Sequence, residues 1–415
     1  MSDRAISDSE SGPAGLLRTA LGLALASAVS LGLARFAYAL LLPAMRQDLA
    51  WSYATAGAMN TVNAAGYLLG ALMLPRWQAR FDARHVVLAG GCGACVTLAL
   101  HGCVRSQEAL FALRLLSGVF SAASFAGGGL LAAQLAQRAA HRSGLILGIY
   151  YGGTGLGIVA CALAVPHALA DTGWGAGWGA GWGSGWGTGW QWAWMLLGFM
   201  AVLCTATMAY LTRELKAPPA PAAQREPAPL RSLSFGLLGY LMFGLGYIGY
   251  MTFIISLLRE QGVAAHLVTA FYVLLGVGVV ASSWLWAGLL QREKGGRPMA
   301  LLNGLLAVAT LLPVLFSSLV AVFASGLLFG SVFLSVVAST TALVRHNCDK
   351  ASWSSGIAAF TTIFAAGQIV GPVMVGWVAD AQVGSAQVGL ERGFMVSAAL
   401  LGLGSVLALL QRPLR

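Results

Sequence analysis

Charge is what this sequence has least of. Only 9% of its residues are Asp, Glu, Lys or Arg, against 58% hydrophobic, whereas soluble domains carry roughly 25% charged residues. So little charge cannot cover a water-exposed surface, and a soluble globular chain is excluded. Proline is scarce, at 13 in 415 residues, and the 54 glycines follow no collagen-like period. Glycine at that level fits membrane helices, where small residues let backbones approach closely. A basic leader is missing too: residues 1–15 are polar and include Asp3, Asp8 and Glu10, unlike the first region of a signal peptide. Cys92, Cys95, Cys103, Cys161, Cys204 and Cys348 sit mostly inside apolar runs. Cys92 and Cys95 form a C-x-x-C without His or acidic neighbours, so packing is expected there and neither a disulfide nor a metal site. H-E-x-x-H and matched Ser–His pairs are also missing, which argues against an enzyme, and no cofactor is expected. The net charge of +10 falls in short clusters between apolar runs, not along one basic face, so no nucleic-acid partner is expected.

What is present is a series of long apolar runs. A bilayer core of about 30 Å needs roughly 20 apolar residues per helix. Runs that meet this test lie near 16–45, 52–75, 86–104, 107–136, 143–169, 192–212, 234–258, 267–290, 298–317, 319–344, 353–380 and 393–411. The sequence therefore predicts an all-α membrane protein with twelve transmembrane helices. Lys and Arg give independent support. With both termini cytoplasmic, 18 of the 24 basic residues fall on the inner side and four on the outer, leaving Arg35 and Arg114 inside the membrane. A missed or extra helix would scramble that alternation.

The runs divide into a tail (1–15), a six-helix bundle (16–212), a Pro- and charge-rich cytoplasmic linker (213–233), a second bundle (234–411) and a short tail (412–415). A Gly-Trp tetrapeptide repeat fills the outer loop 173–190. It is too rich in glycine for a stable helix, and its tryptophans suit the membrane–water interface. The halves echo each other: Arg114-Leu-Leu-Ser-Gly118-Val-Phe in helix four pairs with Gly326-Leu-Leu-Phe-Gly330-Ser-Val-Phe in helix ten. Two pseudo-symmetric six-helix bundles are expected, as in a two-lobed carrier.

Several segments carry a resemblance. They are Gly32-Leu-Ala-Arg-Phe-Ala-Tyr38-Ala-Leu-Leu-Leu-Pro43, Gly66-Tyr-Leu-Leu-Gly-Ala71, Gly244-Leu-Gly-Tyr-Ile-Gly-Tyr-Met-Thr-Phe253 and Gly367-Gln-Ile-Val-Gly-Pro372, with Arg114 and Gly118 matching an R-x-x-x-G signature. In these the chain resembles the major facilitator superfamily over nearly its whole length, and within it the YbfB/YjiJ-type branch. The resemblance implies the major facilitator fold and a monomeric secondary transporter in the bacterial inner membrane. Its halves would rock about a central site for a small-molecule substrate. The loop between helices two and three departs from the superfamily pattern: Ala79 stands where an acid is usual, and Asp82 where glycine is expected. Helix five lacks the Gly-Pro pair that resembles the drug-antiporter signature.

The second conspicuous lack is of acids in the membrane. None of the 14 Asp and Glu residues lies well inside a span, Asp380 coming closest. Arg35 and Arg114 thus have no carboxylate neighbour, although an arginine in mid-membrane costs about 2.5–3.5 kcal/mol on insertion scales and needs a partner or a wet cavity. Counting residues from the outer ends places both at similar depths, roughly 10–15 Å below the surface. Either carbonyls, tyrosines and water surround them, or an anionic substrate supplies the charge. Helical spacing groups Arg35 with Tyr38 on helix one and Asn60 with Asn63 and Tyr67 on helix two. It also aligns Arg114, Ser117, Ser121 and Ser124 on helix four, and Tyr240, Tyr247 and Tyr250 on helix seven. Such stripes also serve as interhelical glue. Tyr150, Tyr151 and Thr154 of helix five and Gln368 of helix eleven join the candidates, and Gly371 with Pro372 is a candidate gating element. His101 is a lone histidine near the outer end of helix three.

The expected activity is transport of a small solute, with an organic anion favoured by the uncompensated arginines. Coupling to a proton, exchange against another anion and uniport all stay open. Proton-coupled export of an aromatic or amphipathic compound is the alternative, followed by a transporter-like sensor.

Overall fold

The computed structural model describes residues 13–169, 189–215, 217, 226–382 and 384–414. Most of the Gly-Trp repeat and most of the linker lie outside these residues. The described chain forms α1 (Ala14–Asp48), α2 (Tyr53–Arg80), α3 (Ala83–His101), α4 (Gln107–Arg138), α5 (Ser143–Leu169) and α6 (Gly189–Leu211) in the first half. The second half contains α7 (Ser234–Glu260), α8 (Ala265–Leu285, extended by a short turn Ala287–Arg292), α9 (Arg297–Leu315), α10 (Leu319–Asn347), α11 (Trp353–Asp380) and α12 (Ala386–Leu409).

Eleven of these are long and apolar enough to cross a membrane. The other, α2, carries Asn60, Thr61 and Asn63 within its 28 residues, and these lower its hydropathy without shortening it. Breaks fall where the backbone finds a cap. Ser52, Ser106 and Ser318 each accept a hydrogen bond from the N–H three residues on, at 3.1, 3.3 and 3.3 Å, which satisfies one otherwise orphaned donor. The last helix starts seven residues earlier than its apolar run. Its first turns are polar, with Ser385 as cap and Gln387 donating to Glu391 at 2.8 Å, so hydropathy alone misses them.

The two halves repeat one packing pattern. In the first, α2 packs on α4, α3 on α4 and α6, and α1 on α5; in the second, α8 packs on α10, α9 on α10 and α12, and α7 on α11. The glycine echo has a physical basis: Gly118 meets the Asn63 carbonyl where α4 crosses α2, and Gly330 meets the Leu275 carbonyl where α10 crosses α8. Between the halves, α2 packs on α11 and α5 on α8. At the second crossing a Cβ on Gly276 would lie 3.0 Å from the Gly155 carbonyl oxygen, so only small residues allow that approach.

One element has no counterpart in the expected pattern. From Ala28 to Phe36, α1 winds as a π-helix, with Ala37 N–H donating to the Gly32 carbonyl five residues back at 3.1 Å. π segments occur mostly as short bulges and often at functional sites. This one is buried throughout and ends with Arg35 and Phe36.

The face away from the chain ends holds the halves together. Asp380, at the end of α11, accepts hydrogen bonds from Tyr53 N–H and Ala54 N–H of α2, both at 2.8 Å. A carboxylate at a helix N-terminus is favoured by both the free N–H groups and the dipole. Beside it, Glu260 accepts from the Tyr53 hydroxyl at 3.1 Å and lies 3.7 Å from Arg46, whose guanidinium covers the Tyr53 ring at 4.0 Å. Trp190 is the last tryptophan of the repeat. It is buried, and its indole donates to Asp48 at 2.7 Å.

On the other face, Asp82 caps α3 through Arg84 N–H at 2.8 Å and accepts from Ala217 N–H at 3.1 Å. Asp82 thus ties the loop to the linker of its own half.

Candidate functional site

Arg114 and Arg35 are almost equally buried, at 0% and 4% exposure, so burial does not distinguish them. Their partners do. Arg114 Nη1 donates to the Ala34 carbonyl at 2.8 Å, Nη2 to Asn60 Oδ1 at 2.7 Å, and Nε to the Met59 carbonyl at 3.5 Å. The rings of Tyr38 and Trp194 flank it at 4.9 and 5.8 Å. Asn60 passes the network across the halves by donating to Thr252 of α7 at 2.8 Å. Asn63 donates to the Arg114 carbonyl at 3.1 Å, and Tyr38 donates to the Ala56 carbonyl at 2.8 Å. His101 is buried nearby, stacked on Trp194, with Nδ1 2.6 Å from the Thr97 carbonyl.

Arg35 has a different setting. Its Nε and Nη2 have no hydrogen-bond partner among the described residues. Its guanidinium lies over the Tyr67 ring at 5.7 Å, and the Tyr247 side chain of the other half is close enough to feel its charge. Gln368 bonds the Tyr247 hydroxyl and leaves its Oε1 without a partner. The arginines therefore reach different partners on α2: Arg114 bonds Asn60, whereas Arg35 lies over Tyr67, two helical turns along the same helix.

Tyr247 belongs to a stack of near-parallel rings. Tyr247 stacks on Phe243 (4.6 Å between centroids, 18°), on Phe364 (5.6 Å, 17°) and on Phe333 (6.1 Å, 11°). Tyr240 extends the stack through Phe364 at 4.9 Å and Phe243 at 5.5 Å. On the first half, Tyr150 and Tyr151 meet edge to face at 5.1 Å beside Phe125. Tyr67, Tyr151 and Phe364 keep part of their surface open.

Of the residues singled out in the sequence, the structure lays Arg35 over Tyr67 and joins Gln368 to Tyr247, while Tyr240 stacks on Phe243 and Phe364. Tyr38, Asn60, Asn63 and Arg114 form the separate, closed network. Ser117, Ser121 and Ser124 lie buried along α4 without hydrogen-bond partners among the described residues. Thr154 shares a 2.7 Å hydrogen bond with Ser27, Tyr150 donates to the Phe125 carbonyl, and Tyr250 bonds Ser325 at 2.7 Å while stacking on Phe329 at 3.9 Å. Gly371 packs on the Leu245 carbonyl, and the Pro372 carbonyl meets Gly57 of α2, which places the candidate gate at the contact between halves.

Sequence reasoning missed Phe243, Phe333 and Phe364, which read as ordinary apolar residues in apolar spans. It also missed Tyr272, whose hydroxyl reaches from α8 to the Phe36 carbonyl at 2.7 Å. That carbonyl closes the π segment, so the segment is gripped by Arg114 from its own half and by Tyr272 from the other.

Comparison with known proteins gives a consistent picture. The family model described as uncharacterised MFS-type transporter YbfB matches residues 27–409. No curated protein sequence matches the chain. Among solved structures, a bacterial homologue of the human lysosomal transporter Spinster, in an inward-facing and unoccupied conformation, superposes with a TM-score of 0.70 at 16% identity. The match covers 96% of this chain and 98% of that one. The nucleoside transporter NupG gives 0.69 at 14% identity, covering 94% and 97%. The human organic anion transporter MFSD10 (TETRAN) gives 0.62 at 16%, covering 95% and 98%. At these identities the likeness is one of fold.

Proposed function

Since the chain belongs to the YbfB-type branch of the major facilitator superfamily of transporters, we propose that it carries a small organic anion across the bacterial inner membrane by alternating access, with Arg35 as the charge-binding residue. The observation that supports this reading is the pair of unpartnered N–H groups on a buried guanidinium between the halves. A buried charge without partners is unfavourable, and an anion entering the site would supply what the protein withholds. Arg114 has no such need, because carbonyls and Asn60 already occupy its donors.

The halves would move about the π segment and the α2–α11 contact, where Gly371 and Pro372 sit. The Asp380 and Glu260 contacts hold the far face shut, so in this conformation the site would load and unload through the face that carries the chain ends. Both termini are placed in the cytoplasm on the strength of the basic loops, and the carrier is taken to be a monomer. In the absence of a membrane carboxylate, coupling would run through anion exchange or through protonation of the substrate itself.

The aromatic stack supports a second reading, export of an aromatic amphipath. Thermal stability of the purified protein, screened against panels of organic anions and cationic amphipaths, separates the two, since a ligand that binds the folded state raises its apparent stability. Stabilisation by anions that disappears in Arg35→Gln is the expected result. Stabilisation by cations that survives Arg35→Gln would favour the exporter.

A further inference from the structure

Resting on the anion-carrier reading, we infer a narrower substrate class: a monocarboxylate with a flat aromatic body. Three observations define it.

The first is which guanidinium atoms are free. Nε–H and Nη2–H lie along one edge of the Arg35 fork and point the same way, and these are the two without partners. That edge matches the two oxygens of a carboxylate, giving two parallel charge-assisted hydrogen bonds. The second is charge. Each nitrogen of Arg114 already donates to the protein, so the free fork is that of Arg35, and one fork matches one carboxylate group. The third is the shape of the surroundings. Tyr240, Phe243, Tyr247 and Phe364 form a stack of near-parallel rings, within 8–20° of one another in each stacked pair, and Phe364 is the member that keeps open surface while the other three are buried. Tyr67 and Tyr151 of the other half also keep part of their surface open. A planar ring laid on Phe364 would extend the stack in the offset geometry that aromatic pairs prefer.

Gln368 adds a minor element. One end of its amide bonds the Tyr247 hydroxyl and the other is buried without a partner. A hydroxyl on the ring of the ligand would donate to that free Oε1.

Calorimetric binding to the purified full-length protein tests the inference, with benzoate, 4-hydroxybenzoate, benzamide, cyclohexanecarboxylate, succinate and inorganic phosphate as probes. Benzoate is expected to bind, 4-hydroxybenzoate to bind more tightly, and benzamide to lose about tenfold or more because it cannot take both charged hydrogen bonds. Cyclohexanecarboxylate should bind roughly two- to tenfold more weakly for want of stacking. Arg35→Lys keeps the charge but not the fork, and should weaken benzoate by about tenfold. Tyr247→Leu should weaken benzoate while leaving the smaller affinity for cyclohexanecarboxylate almost unchanged. Arg35-dependent binding of succinate or phosphate in preference to benzoate overturns this inference and leaves the anion reading standing. Absence of binding by every anion, with a cationic amphipath bound equally by Arg35→Gln, overturns both. Benzoate binding unchanged in Arg35→Gln overturns the site assignment.

Discussion

The region around Arg114 and the region around Arg35 start from the same problem and resolve it in opposite ways. Each puts a guanidinium into the membrane interior with no acid nearby. Around Arg114 the protein supplies the acceptors itself: the Ala34 carbonyl at the distorted end of α1, the amide of Asn60 and two aromatic faces. Around Arg35 it supplies rings and leaves two N–H groups unanswered. On the anion-carrier proposal, one arginine would belong to the scaffold and the other to whatever enters. Burial alone, nearly equal for the two, would have suggested equal roles.

The largest effect expected on this view comes from Arg114→Met. It leaves the Ala34 carbonyl and Asn60 Oδ1 buried without donors, at about 1–3 kcal/mol each, and unties α4 from both α1 and α2. A fall in thermal unfolding temperature far greater than that of Arg35→Gln is the expected outcome in detergent. Arg35→Gln, which removes an uncompensated buried charge, should leave stability unchanged or slightly raised. Equal destabilisation by the two substitutions would erase the distinction between scaffold and site.

A smaller effect is expected at the point where the scaffold of one half reaches the other. Tyr272→Phe removes the side-chain donor to the Phe36 carbonyl, 2.7 Å away, at the end of the π segment. Its cost should be about 1–2 kcal/mol, seen as a lower unfolding temperature. If the π segment sets the position of Arg35, ligand affinity should fall with it, although Tyr272 touches no part of the candidate site. Unchanged affinity would show that Arg35 is positioned without help from the second half.

How far these roles were legible beforehand follows from the physics of each signal. Helix number and the division into halves were readable because hydropathy and loop charge report on the bilayer, which acts on every residue alike. The late reading of α12 came from the same source, since its first turns are polar and helical at once. Arg35, Tyr67, Tyr247 and Gln368 were found as polar residues in apolar spans. The same criterion picked Tyr38, Asn60 and Arg114, and could not tell a satisfied polar group from an unsatisfied one. That difference lies in the partners, and carbonyl partners leave no trace in sequence. The π segment is invisible for a related reason. Ala28-Val-Ser-Leu-Gly-Leu-Ala-Arg-Phe36 has ordinary helix-forming composition, and the groups that bond its carbonyls, Arg114 and Tyr272, come from elsewhere in the chain.

A third arginine extends the comparison to water. Arg18 lies 3.0 Å from Glu214, with both side chains about one-third or more exposed, at 33% and 43%. Its hydrogen bond and charge hold the Glu214 carboxyl below the ordinary carboxylate range, with Arg213 adding to the effect. Because the folded value is depressed, any stabilisation is present above the ordinary carboxylate range and lost as pH falls through the depressed value. Glu214→Gln should therefore leave unfolding at neutral pH almost unchanged and flatten the acid side of the stability profile only slightly. Exposed pairs of this kind contribute little and are screened by salt. The three arginines would then rank by who answers their charge: Arg114 by the protein, at high cost when removed; Arg35 by the ligand, at a cost seen only in binding; Arg18 mostly by water, at almost none. A large acid-dependent loss of stability in Glu214→Gln would break that order, because it would place a surface pair of the linker among the elements that hold the bundles together.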